Sequence, residues 1–127
     1  MTRPHDTARD AAPTAKVLPG ELRLAETAAS GRHVLALSGE IDIANAALLE
    51  RRVVELCEQG AREIVLDLRG LSFIDARGLS AALFCKRRCE HEQVSFALVH
   101  GSRMVRRLFE LSGIGEGLSA PSKSRSS

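Results

Sequence analysis

The chain has no tryptophan and no tyrosine, and only four phenylalanines in 127 residues. With so few rings, its core has to be filled by Leu, Val, Ile and Ala, which an apolar fraction of 44% supplies in quantity. Net charge is nearly absent too, at +2. Without a concentrated basic face, nucleic-acid binding is not the expected task. No apolar run approaches the roughly 20 residues that cross a bilayer, so membrane insertion is not expected. The opening MTRPHDTARDAAPTAK lacks the apolar core of a secretory signal. Three cysteines, an odd number beside no such signal, read as reduced thiols of a cytoplasmic protein. Neither the P-loop nor the dinucleotide glycine pattern occurs, so nothing here cradles a phosphate and no cofactor is expected.

What is present fits one compact domain. Residues 1–18 mix Pro, Ala, Thr and charges without a period, and residues 119–127 (SAPSKSRSS) are low in complexity. Both are expected to be disordered tails around a folded span of 19–118. Inside that span, residues 21–27 alternate polar and apolar, a turn follows at 29–32, and 33–39 form a more buried strand, making a hairpin. A helix is predicted from about Asn45 to Glu58, with Ala46, Leu49, Val53 and Leu56 on one face. Asn45 is its expected N-cap, Asp42 the alternative, and Gly60 its left-handed stop. A strand over 64–68 leads through a turn at Arg69-Gly70 to a second apolar patch, Leu71–Ile74. A helix then runs from Ala76 to about Cys89, a strand spans 94–99, and Ser102 caps a last helix through Leu111. That helix is expected to bury Met104, Leu108 and Leu111 and to stop at Gly113. Strands alternating with helices after a hairpin predict an α/β sheet with its helices mainly on one face. Function in such sheets collects at the carboxyl ends of strands, which points to Ile74–Gly78.

Cys85 and Cys89, four apart on one helix and close to His91, offer too few ligands for a structural zinc site. They fall beside Ala81 and Ala82 and are expected to be small core residues, with no metal. His33 and His100 have no neighbouring nucleophile, so no catalytic residues are assigned and an enzyme is not expected. The junction at Asp75 carries more. Asp75 suits the start of a helix as cap and as a charge at the positive end of the dipole. Leu71, Phe73, Ile74 and Leu79 surround it as apolar anchors that would hold the loop rigid. On the following helix Leu79, Ala81, Ala82, Leu83, Cys85 and Cys89 share an apolar arc, while Ser80, Phe84, Arg87 and Arg88 lie opposite, exposing Phe84 among cations.

The stretch LDLRGLSFIDARGLSAAL resembles the signature of STAS domains, in particular bacterial anti-sigma factor antagonists. GEIDIANAALL is similar to that family's second-strand-to-first-helix motif, and VRRLFELSGI to its last helix and the turn after it. The resemblance implies the STAS fold, a four- to five-stranded mixed sheet with helices packed mainly on one face. It also implies partner switching: the antagonist binds an anti-sigma factor, typically a GHKL-type serine kinase, and frees its sigma factor. The implied partner-binding residues are Glu40, Asp42, Asp75, Ala76, Arg77, Gly78, Leu79 and Ser80, and exposed Phe84 joins them. In the family the kinase phosphorylates a serine just after the motif aspartate, and that position here is Ala76. The expectation is therefore a binder without the usual switch, constitutive or otherwise regulated, with Ser72 and Ser80 as the nearest hydroxyls. Arg77, where the family has a small hydroxyl, is expected to join Phe84, Arg87 and Arg88 in a basic and aromatic patch selecting a more acidic partner: a non-kinase anti-sigma factor, a sigma factor itself or another regulator. The alternative is an accessory subunit of an ABC-type lipid or anion transporter. Self-association is expected to go no further than a weak homodimer.

Overall fold

A computed structural model describes residues 14–112, which form one five-stranded sheet and three helices. In chain order these are β1 (Thr14–Leu18), β2 (Leu22–Ala29), β3 (Arg32–Ile41), α1 (Ala46–Glu58), β4 (Glu63–Ile74), α2 (Ala76–His91), β5 (Ser95–Val99) and α3 (Arg103–Ser112). The strands lie in sequence order across the sheet. β1, β2 and β3 pair antiparallel, whereas β3–β4 and β4–β5 are parallel. Parallel neighbours need long crossovers, and α1 and α2 supply them.

Side-chain alternation sets the faces. Leu22 and Leu24 of β2, Leu35 and Leu37 of β3, Ile64, Leu66 and Leu68 of β4 and Leu98 of β5 are buried toward the helices. Leu49, Val53 and Leu56 of α1, Ala82, Cys85 and Cys89 of α2, and Val105 and Phe109 of α3 complete the same core. The core is aliphatic as expected: of the four phenylalanines only Phe109 is fully buried. Gly60 ends α1 with a φ of 91°, in the left-handed region.

Three expectations need correction. Residues 14–18, assigned to a tail, form the edge strand β1, held by a full register against β2 from Thr14↔Glu26 to Leu18↔Leu22. Its side chains are almost all exposed, so it leaves little apolar pattern to read. The turn at Arg69-Gly70 is a bulge inside a continuous β4, where the pairing slips between Ala36↔Asp67 and Ser38↔Gly70. Asp67 closes the bulge by accepting from the Arg69 backbone N–H and guanidinium at 2.8–3.1 Å. The buried residues of α3 are Val105 and Phe109, while Met104 and Leu111 face solvent. Ser102 does cap α3, its Oγ accepting from Val105 N–H at 3.1 Å. The Gly113 stop, the end of the folded span at 118 and both outer tails, 1–13 and 119–127, lie outside the described residues.

Candidate partner-binding site

Because β3 and β4 run parallel, they deliver their following loops to the same end of the sheet. Glu40 pairs with Phe73 and Ile41 with Ile74 at that end. From β3 the chain turns through residues 42–45 into α1; from β4 it passes through Asp75 into α2. The Asp75 N–H donates to the Ile41 carbonyl at 3.3 Å, stitching the two exits together. Gly39 makes the approach from the hairpin side. It adopts a φ of 95°, and a β-carbon there would run into the Glu21 carbonyl.

Asp75 caps α2 as predicted, its Oδ1 accepting from Gly78 N–H at 2.9 Å. Ala76 follows, exposed at the first helical position. Gly78 is buried with no room to spare, since a β-carbon would lie 2.6 Å from Ile74 Cγ1. Leu71 and Ile74 are buried anchors and Leu79 is half-buried, but Phe73 is 42% exposed and points outward.

Arg77 departs from expectation. It does not join a basic patch; its guanidinium forms a two-point ion pair with Glu50 of α1, at 2.6 and 3.1 Å. That hydrogen bonding raises its pKa and consumes its charge locally. A cation in the first turn of a helix opposes the helix dipole, and Glu50 supplies the compensation.

On the neighbouring loop, Asn45 does not cap α1 through its side chain. The carboxamide instead turns back toward the sheet and is fully buried. Asp42 Oδ1 accepts from Ala44 N–H at 2.9 Å, and the Asp42 carbonyl accepts the N–H groups of Asn45 and Ala46. Glu40 is half-buried, with no ion-pair partner among the described residues. Ile43, at the loop tip, is 79% exposed. Sequence reasoning passed over Ile43, although an apolar residue between Asp42 and Ala44, off the buried face of α1, is a visible signal.

The STAS domain family matches residues 25–123. This chain belongs to the STAS domain family. The anti-sigma-B factor antagonist of Bacillus subtilis is 30% identical over 88 residues, covering 69% of this chain and 80% of that one. Among solved structures, an anti-sigma factor antagonist from Mycobacterium paratuberculosis superposes with a TM-score of 0.71 at 23% identity, covering 84% of this chain and 92% of that one. SpoIIAA in its unphosphorylated form gives 0.63 at 23% identity, covering 91% and 92%. The five-stranded mixed sheet with helices on one face is thus the STAS fold.

Within this STAS domain the residues singled out from the sequence fall into two groups. Glu40, Asp42 and Asp75–Gly78 gather where β3 and β4 end. Ser80 and Phe84 lie further along the outer face of α2, where with Leu83, Arg87 and Arg88 they line an open groove of about 360 Å³. Phe84 is 40% exposed, as anticipated. Arg87 is exposed, while Arg88 is paired with Glu92 at 3.0 Å. Of the two nearby hydroxyls, Ser72 donates to the Gly39 carbonyl at 3.0 Å and Ser80 is exposed. Cys57, Cys85 and Cys89 are free and buried, and burial pushes each thiol up, away from the reactive thiolate. No group of three or more metal-ligating side chains occurs among the described residues, and no helix there is long and apolar enough to cross a membrane.

Proposed function

We propose that this STAS domain is an anti-sigma factor antagonist that binds its anti-sigma factor constitutively, in the cytoplasm, and so releases a sigma factor. It is a binding regulator rather than an enzyme. The contact surface comprises Glu40, Asp42, Ile43 and Asp75–Gly78, with Ser80 and Phe84 of α2 at its flank. The observation that carries the proposal is Ala76, exposed at the position the family uses for its phosphorylated serine. A phosphate there would add nearly two negative charges inside the contact and break it by repulsion and desolvation. Alanine offers no hydroxyl to accept one.

The electrostatics favour a different partner surface from the acidic one the sequence suggested. Arg77 is neutralised by Glu50, which leaves the half-buried acids Glu40 and Asp42 beside exposed Ile43. A complementary partner presents cations to these acids and an apolar recess to Ile43.

The test reconstitutes the protein with a GHKL-type serine-kinase anti-sigma factor and ATP. The wild-type complex is expected to survive and the protein to keep its unmodified mass. The Ala76→Ser variant is expected to gain one phosphate and dissociate. Phosphate found on Ser72 or Ser80 of the wild type, with loss of binding, would overturn the proposal.

A further inference from the structure

Asn45 is the one polar side chain fully buried among the described residues. Buried carboxamides are kept only where their hydrogen bonds are met, and this one meets three. Its Oδ1 accepts from the Asp42 N–H at 3.0 Å. Its Nδ2 donates to the Glu40 carbonyl at 3.2 Å and to the Pro19 carbonyl at 3.0 Å. Two of the three therefore hold the backbone of Glu40 and Asp42, the two acids of the contact surface. The third ties them to the turn between β1 and β2, 26 residues away. The turn sits directly behind the loop: a β-carbon on Gly20 would lie 3.1 Å from Asn45 Nδ2 and 3.5 Å from Asp42 Oδ1. Neither side-chain atom, Oδ1 or Nδ2, caps the helix that Asn45 begins.

We infer that Asn45 is a positioning residue of the binding surface: it sets the direction in which Glu40 and Asp42 are presented, and it couples that surface to the β1–β2 turn. The inference rests on the contact surface proposed above. Its chemistry separates into an acceptor arm and a donor arm. The acceptor arm fixes Asp42. The donor arm fixes Glu40 and the Pro19 turn. A partner or modification that displaces the β1–β2 turn would thus reach both acids through the Asn45 side chain, beside the direct bond from the Glu40 N–H to the Glu21 carbonyl at 2.8 Å.

Backbone amide exchange on the isolated protein tests the device without any partner, so its failure is distinguishable from a failure of the functional reading. In Asn45→Ala both arms are lost. The Asp42 amide, whose acceptor is removed, is expected to exchange about tenfold faster or more, while those of Leu35 and Leu66 keep their protection. In Asn45→Asp the acceptor survives and both donors vanish. The Asp42 amide is then expected to stay protected, while the amides that pair β1 with β2 exchange faster. That split is the signature of positioning. A uniform loss of protection across β2, β3 and β4 in both variants would overturn it, as would an unchanged Asp42 amide in Asn45→Ala. Should Asn45→Ala fail to fold, Asn45→Asp alone decides between the outcomes. With an anti-sigma factor in hand, both variants should lose affinity, and Gly20→Ala should lose it as well by pressing on Asn45 from behind.

Discussion

A β-carbon at position 78 would lie 2.6 Å from Ile74 Cγ1 and 2.8 Å from Ile41 Cγ2, with the Ile41 carbonyl at 3.1 Å. Neither isoleucine has room to retreat, since both are buried at the strand ends. Gly78→Ala is therefore expected to cost about 1–3 kcal/mol, by the strain of overpacking, read as a lower urea midpoint at unchanged slope. Charge gives a second prediction at this scale. If Glu40 and Asp42 meet cations, the double change Glu40→Gln, Asp42→Asn should slow association with the anti-sigma factor and flatten its dependence on salt, measured by stopped flow. An unchanged salt dependence would remove the acids from the contact. Sequence made some of these residues legible and not others, for one reason. Asp75 acts on Gly78, three residues away, and Phe84 shows its exposure through helical spacing alone. Arg77 finds its partner 27 residues upstream and Asn45 one of its partners 26 upstream. No local pattern announces either, so Arg77 read as a free cation and Asn45 as a helix cap.

At the level of elements, α3 shows how a strong pattern can still mislead. Leu111, Met104, Leu108, Val105 and Phe109 follow one another around the helix in a single wide apolar arc, and nothing in that arc says which edge meets the sheet. The structure buries the Val105–Phe109 edge completely and leaves Met104 48% and Leu111 72% exposed. His100, at the end of β5, helps select that edge by meeting Phe109 edge-on, with ring centroids 5.5 Å apart. Phe109→Ala should accordingly cost about 3–5 kcal/mol and Met104→Ala no more than about 0.5 kcal/mol, compared by chemical denaturation. A larger loss at Met104 than at Phe109 would mean the arc is docked by its other edge. β1 was illegible for the opposite reason: as an edge strand with exposed side chains it carries almost no apolar period, and only its pairing with β2 defines it. The central strands, the two crossover helices and the Asp75 cap were all readable, because burial on both sides or along one stripe writes itself into the spacing. A second tie between elements was not. Arg52 of α1 grips Glu26 of β2 with two hydrogen bonds, at 2.5 and 2.8 Å, largely shielded from water. Glu26→Gln is expected to cost about 1–2 kcal/mol, since it leaves the partly buried guanidinium with only the more exposed Glu55, at 2.9 Å, as counter-charge.

Over the whole molecule, the titrating groups divide into two sets that bracket neutral pH. Burial lowers the pKa of His33 below its ordinary 6.5, opposed by Glu26 and assisted by Arg52. Burial likewise lowers His100, with Arg106 assisting and Glu110 opposing. In both cases the unfolded chain binds a proton more readily than the folded one. Their contribution to stability is complete above 6.5 and is lost as pH falls through the depressed folded values. Asp67, held low by its hydrogen bonds from Arg69, extends the same sign to lower pH, below 3.8. The thiols act at the other side. Cys57, Cys85 and Cys89 are pushed above their ordinary 9.0, chiefly by burial, so the folded state keeps protons that the unfolded chain releases. Their contribution is complete below 9.0 and disappears as pH rises beyond it. Stability should thus form a plateau between about 6.5 and 9.0, falling on either side. Urea unfolding across pH 4–11 measures it. His33→Gln and His100→Gln together should flatten the shoulder just below 6.5 and leave the alkaline arm in place, whereas Cys85→Ala should weaken the alkaline arm alone. The alkaline arm belongs to the thiols because they are buried between α1 and α2, where desolvation and the Glu50, Glu58, Glu90 and Glu92 carboxylates outweigh the opposing Arg88 guanidinium. If the alkaline arm survives replacement of all three cysteines, deprotonation elsewhere, and not the core thiols, opens the fold at high pH.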